Sequence, residues 1–250
     1  MAKREARPPE SVEELRRRIQ RARVRGAAKP RADTARKALL AWLDTAVRHG
    51  LGLRDILKRL ASGEAALGIG AAVHDALATD PPEILQKAAC RSGCAFCCIL
   101  SGGDGGTITE TEARRVHAAL APFAGQPDGR TWHPAACPAL DPESRTCRIY
   151  EERPLLCRSF VSTDADACRE NAEGGSADGA GVLGSQVTYL AALGLVRSAL
   201  EGTARPRTYA LDETAAATVA GKTETEALES ARQKPRALDD AIRGTAGTAK

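Results

Sequence analysis

The stretch CRSGCAFCC, residues 90–98, holds Cys90, Cys94, Cys97 and Cys98, and four further cysteines follow as Cys137, Cys147, Cys157 and Cys168. These are all eight cysteines of the 250-residue chain, so residues 1–89 and 169–250 have none. Thiolates are soft ligands that suit zinc, copper(I) and iron–sulfur clusters, and a bound metal cross-links a segment that cannot hold itself together by burial. The spacing is C-x3-C-x2-C-C, followed after a long gap by C-x9-C-x9-C-x10-C. Adjacent residues of an ordinary backbone point in different directions, so Cys97 and Cys98 are not expected to share one tetrahedral ion. Two metal atoms, or one cluster plus a spare thiol, is the simpler arrangement. Eight sulfurs could complete two four-cysteine sites, and the spacing leaves their assignment open.

Competing signatures overlap the leading cluster. Cys90-x3-Cys94-x2-Cys97, with Phe96 before the third thiol, matches the local pattern of radical S-adenosylmethionine enzymes. Those enzymes alternate strands and helices around a barrel, and neither flank has that rhythm. The repeated C-x2-C-x2-C-x3-C-P run of bacterial ferredoxins is absent. The second half of the window, ACPALDPESRTCRIYEERPLLCRSF at residues 136–160, taken with the leading cluster, resembles the YkgJ-type cysteine cluster family, described as a zinc- or iron-chelating domain. The matching positions are Cys90, Cys94, Cys97, Cys98, Cys137-Pro138, Cys147, Ile149-Tyr150, Arg153-Pro154, Cys157-Arg158, Phe160 and Cys168. The resemblance covers about residues 85–172 and implies chelation of zinc or iron, with a four-iron four-sulfur cluster as a further option. It also implies an alternative, an iron–sulfur-dependent methyltransferase-like enzyme such as the flagellin lysine methyltransferase. No glycine-rich strand-to-helix turn for a nucleotide accompanies it; Gly68-Ile69-Gly70 falls inside a helical pattern and is expected to mark close helix packing.

Around the thiols, Arg148, Arg153 and Arg158 could offset sulfur charge, against the alternative of surface pairing with Glu151 and Glu152. Tyr150 and Phe160 are expected to pack the loops. His133, four residues before Cys137, could supplement a sulfur ligand, but eight thiols make this unnecessary. His49, His74 and His117 lie on helical stretches where solvated or capping roles are expected.

Helices must position these groups. Ser11 and Glu14 form a capping-box pattern ahead of Val12, Leu15 and Ile19, and DTARKALLAWLDTAVRH, LRDILKRLA and EAALGIGAAVHDALA read as three further helices ending at Asp80-Pro81-Pro82. Thr109 and Glu112 cap another helix running to Leu120, and the rest of the cysteine window, including Gly102, Gly103, Gly105 and Gly106, reads as loop. Downstream, VLGSQVTYLAALGLVRSALEG carries Leu183, Val187, Leu190 and Val196 on one face. From Lys222 the pattern predicts a weak helix and a frayed tail.

The expected fold class is therefore mainly α: helical flanks around a loop-rich, metal-nucleated cysteine domain with little or no β-sheet. Its parts are a basic helical extension at 1–83, the cysteine domain at 84–172, and a C-terminal helix with a partly disordered tail at 173–250. Residues 1–60 hold 17 Lys and Arg against 7 Asp and Glu, although the whole chain nets only +4. A nucleic-acid or acidic-protein partner for this end, and with it a zinc-stabilised binding module, is weighed against a solvated helix face, which is preferred because glutamates interleave and no aromatics are spaced for base stacking. No run is long and apolar enough to cross a membrane, and MAKREARPPE lacks a signal peptide's apolar stretch. A cytoplasmic, reducing setting is expected, which favours free thiols over disulfides.

Overall fold

The computed structural model describes residues 7–100 and 105–245. The expected loop glycines Gly102 and Gly103, the Arg-rich start before residue 7 and the end of the tail lie outside the described residues. The fold is mainly α, as the sequence predicts. Its elements run α1 (Val12–Arg21), α2 (Lys29–Arg48), α3 (Leu53–Ala61), α4 (Glu64–Thr79), α5 (Glu83–Gln86), β1 (Thr107–Thr109), α6 (Glu110–Leu120), α7 (Leu155–Ser159), β2 (Phe160–Ser162), α8 (Ala165–Ala172), β3 (Ala180–Val182), α9 (Gly184–Ala199), β4 (Thr208–Ala210), α10 (Leu211–Val219), α11 (Glu224–Ser230) and α12 (Arg236–Gly244).

The long helix α9 is the axis of the larger core. The sequence reading gives it one apolar face, but Tyr189 to Val196 are buried without a break, because α2 and α4 cover one side while α1, α3, α7 and α12 cover the others. A helix apolar all round needs such complete cover. Leu15, Ile19, Leu39, Leu43, Ile56, Leu60 and Ile69 close on it from the N-terminal helices, each worth about 1.5–3 kcal/mol when fully buried. Gly70 permits the tightest approach, since a Cβ there would stand 2.3 Å from Leu155 Cδ2 and 2.9 Å from Tyr189 Cβ. Gly68 faces open space, so only one glycine of the pair serves packing.

Local chemistry sets the helix ends. Ser11 Oγ accepts the Glu14 amide at 3.1 Å, but the Glu14 carboxylate takes the Glu10 amide at 2.8 Å, so only half of the expected box forms. Helix α2 starts at Lys29 with Pro30 in its first turn, where a missing N–H costs nothing. Much of the basic charge at this end is taken up internally: Arg16 pairs with Asp44, Arg18 with Glu14, and Arg36 donates to the carbonyls of Ile19 and Ala22.

The cysteine segment does not build its core alone. Strand β1 pairs antiparallel with β4, matching Ile108 to Tyr209, and α6 packs on α10 and α11. Ile108, Ala113, Val116, Leu120, Cys137, Ala139 and Ile149 thereby share one cluster with Tyr209, Leu211, Ala215, Leu228 and Ala231. The segment can be poor in apolar residues because five of the twelve buried residues of this cluster come from after residue 208. A second small sheet joins β2 to β3. The weak helix expected from about Lys222 is α11, started by a complete Thr223–Glu226 capping box, and where fraying is expected after it α12 instead inserts Leu238 and Ile242 into the larger core. Alternation of charge with small residues hid this second anchor.

Candidate metal centre

The chain delivers its cysteines along a folded-back path. The Ala89 amide donates to the Ser162 carbonyl at 2.8 Å, laying the leading segment along β2, and the Cys90 thiol points to the same carbonyl at 3.8 Å. A 3-10 turn at Phe96–Cys98 then reverses the chain. Beyond it, Ile99 bridges Ala136, the Leu100 amide donates to the Ala135 carbonyl, and the Cys137 amide donates to the Cys98 carbonyl at 2.8 Å. Cys98 and Cys137 thus lie side by side although 39 residues apart. A tight turn led by Asp141, whose carboxylate accepts the Glu143 and Ser144 amides, sends the chain back so that Cys147 bridges Leu140. Pro154 then starts α7, which carries Cys157, and Asp164 caps α8, which carries Cys168.

Four of the expected ligands border the second apolar cluster. Cys137 belongs to the second apolar cluster, and Cys98, Cys147 and Cys157 pack against it. Cys90 and Cys97 are exposed, and Cys94 and Cys168 are half-buried. All eight are free thiols. Among the described residues, no group of three or more His, Cys, Asp or Glu side chains is placed so that it could hold a metal ion.

Donor chemistry nevertheless fits a thiophilic ion. Burial pushes the Cys137 thiol up to about 12, and burial followed by the neighbouring Cys137 and Cys147 charges pushes Cys157 well up. Cys98 donates its S–H to the Cys97 sulfur, which brings Cys97 down to about 7 and holds Cys98 well above an ordinary thiol. Burial also raises Cys147 and Cys168. Thiols kept protonated chiefly by burial, with the charge of neighbouring thiolates adding to it, are the groups a divalent cation would deprotonate and hold.

The three arginines have separate roles. Arg153 is the one whose charge favours the thiolates of Cys97, Cys147 and Cys157. It is held by the Tyr150 carbonyl at 3.0 Å and by the Tyr150 ring, 3.6 Å below its guanidinium. Tyr150 is therefore a surface platform, 57% exposed, and not the loop-packing residue the sequence suggests. Arg148 donates to the Pro127 carbonyl and Asp141, and Arg158 to the carbonyls of Arg153 and Glu151. Neither the sulfur role nor pairing with Glu151 and Glu152 holds for these two. His133 Nδ1 accepts the Ala135 amide at 3.2 Å, and His117 and His74 lie against the Lys222 carbonyl and Ser185.

One residue escapes the sequence reading except as a cap. Glu112, only 3% exposed, completes the expected box with Thr109, but also accepts the Leu155 amide at 2.9 Å and the Tyr189 hydroxyl. It binds α6 to the start of α7, two residues before Cys157, and to the central helix. Burial and the facing Glu112 carboxylate push the Tyr189 hydroxyl well up, keeping it a donor.

Residues 89–175 match the CxxCxxCC family model. Its description is "Putative zinc- or iron-chelating domain", the chemistry to which the spacing points, and the matched range holds all eight cysteines. Searches of the curated proteins and of the solved structures each returned no match. No helix among the described residues is long and apolar enough to cross a membrane.

Proposed function

We propose that this chain is a cytoplasmic metal-binding protein that chelates zinc or iron through Cys90, Cys94, Cys97, Cys98, Cys137, Cys147, Cys157 and Cys168. One observation carries the reading: eight unpaired thiols fall within the matched domain, and four of them converge on one apolar cluster from sequence positions 98, 137, 147 and 157. A reducing compartment keeps such thiols available, and an all-sulfur donor set suits tetrahedral zinc or an iron–sulfur cluster. When bound, the ion supplies cross-links between loops that burial alone holds weakly. Around it, the apolar cluster that holds Cys137 buries part of the sulfur set, and Arg153 offsets thiolate charge.

Elemental analysis of protein purified without oxygen tests this. Zinc or iron retained through gel filtration is the expected result, with visible colour marking an iron–sulfur cluster. A metal-free chain that resists protease as well after metal loading as before it would overturn the proposal.

A further inference from the structure

Positive charge gathers at one place that has no part in the cysteine chemistry. A cavity of about 730 Å³ opens at the seam where α3, the end of α9, β4, the start of α6 and the connection from α11 to α12 meet. Five cations line it, Lys58, Arg197, Arg205, Arg207 and Arg232, against the single carboxylate of Glu110. Five against one leaves +4, as much as the whole chain carries. Glu110 is in turn held by Arg114 at 3.1 Å. Arg197 is also committed, donating to the Pro235 carbonyl at 3.0 Å and pairing with Asp239. Among the described residues, no acidic side chain pairs with Lys58, Arg205, Arg207 or Arg232.

Like charges lining one cavity repel, so the backbone must hold them there. Residues 231–233 lie along the edge of β4 away from β1: Tyr209 bridges Arg232, the Ala210 amide donates to the Ala231 carbonyl and the Gln233 amide to the Thr208 carbonyl, both at 2.9 Å. Arg207 directly precedes β4, and the charges of Arg207 and Arg232 both reach the Tyr209 hydroxyl. Pro206 and Pro235, on the two chains of this ladder, fix φ beside the arginines. The volume falls within the about 300–1,000 Å³ of small-molecule sites. No aromatic side chain lines it, so nothing there can stack on a base. Forked guanidinium groups match phosphate oxygens two at a time, and a lining of +4 is neutralised only by an anion of more than one phosphate.

We propose that this cavity binds a small, non-aromatic organic molecule carrying two or more phosphate groups, held by Arg205, Arg207 and Arg232 with Lys58 as a supporting charge. The site stands apart from metal chelation and does not depend on it. Such a ligand would tie Lys58 of α3, in the larger helical body, to β4 and the 231–235 segment, and so stabilise the junction it fills.

The test titrates the full chain, reduced and as purified, with fructose 1,6-bisphosphate by isothermal calorimetry. One site per chain is expected, binding at least about tenfold tighter than fructose 6-phosphate because a second charged group is engaged. Affinity should fall at least about tenfold as ionic strength rises from about 0.01 M to about 0.15 M and the Debye length shrinks from about 30 Å to about 8 Å. Arg207→Gln and Arg232→Gln should each weaken binding about tenfold, the loss of one charge-assisted contact. Both side chains are exposed, so both variants should fold, with unchanged far-UV circular dichroism. Arg17→Gln removes the same charge from α1, outside the cavity, and should bind as wild type. No binding heat and no rise in melting temperature at low ionic strength, wild-type affinity in both cavity variants, or equal weakening by Arg17→Gln would overturn the proposal. Tighter binding of ATP or of single-stranded RNA through the same arginines would overturn the choice of a small, non-aromatic ligand. None of these outcomes touches chelation, which the metal analysis above decides separately.

Discussion

Glu112→Ala is the substitution whose cost can be worked most directly from contacts. Four donors converge on this carboxylate: the Thr109 amide and hydroxyl at 2.9 Å each, the Leu155 amide at 2.9 Å, and the Tyr189 hydroxyl. The Thr109 hydroxyl can turn elsewhere, which leaves three buried donors with nothing to receive them. At about 1–2 kcal/mol for each unsatisfied buried group, the loss is about 3–6 kcal/mol, a large share of the about 5–15 kcal/mol that holds a typical domain together. Tyr189→Phe removes a single donor together with its need for an acceptor and should cost only about 1 kcal/mol. Urea unfolding of the reduced chain, followed by far-UV circular dichroism, measures both; the midpoint should fall much further for Glu112→Ala, with an unchanged slope. Because Leu155 lies two residues before Cys157, the alanine variant should also label faster at Cys157 with iodoacetamide. A Glu112→Ala chain within about 1 kcal/mol of wild type, or no less stable than Tyr189→Phe, would refute the idea that this one carboxylate joins the three elements.

Two glycines should respond with opposite signs. Gly63→Ala should cost about 2–4 kcal/mol in the same unfolding experiment, because φ there is +82° and the new Cβ would stand 2.3 Å from Thr109 Cγ2, whereas Gly68→Ala, in open space on α4, should gain about 0.5–1 kcal/mol. In the metal-free chain, Cys97, brought down to about 7, should be alkylated with a midpoint near pH 7, below the ordinary cysteine value of about 8.5, while Cys137, pushed up to about 12, stays unlabelled across that range. Peptide mapping of iodoacetamide adducts reads this, and a Cys97 midpoint at the ordinary value would contradict the Cys98-to-Cys97 hydrogen bond. Arg153→Gln should move that midpoint upward by withdrawing the charge that favours the thiolate, and an unmoved midpoint would show that Arg153 does not act on the sulfurs.

Much of this fold was legible because its signals are local. Repeating Leu and Ile at helical spacing located α1 to α4, the Thr109–Glu112 pair started α6 where predicted, and the cysteine spacing together with the family resemblance pointed to zinc or iron chelation, which the family model at residues 89–175 supports. What escaped depends on distance along the chain. Nothing near Ile108 says that Tyr209 will pair with it, nothing near Glu112 says that Leu155 and Tyr189 will donate to it, and the face Leu183 and Val187 present does not reveal that α12 returns to cover the other side of α9. Tyr150 departs from expectation for a related reason: aromatic residues default to burial, and the position of Arg153 over it explains an exposed ring.

These long-range ties also link the metal domain to the helical body. Ile108 and Thr109 lie on β1, which is paired to β4 and followed directly by the helix that carries Glu112; that residue holds both the approach to Cys157 and the central helix. An ion bound by sulfurs that border the second apolar cluster would stabilise the same cluster that α10 and α11 complete. Binding free energy at the sulfurs would then be free energy of folding for the C-terminal elements, whereas the core around α9, built from Leu15 to Ile242 without a cysteine in it, would feel the metal through Glu112 and Leu155 and through the Thr111–Ser62 and Ser159–Ser185 contacts.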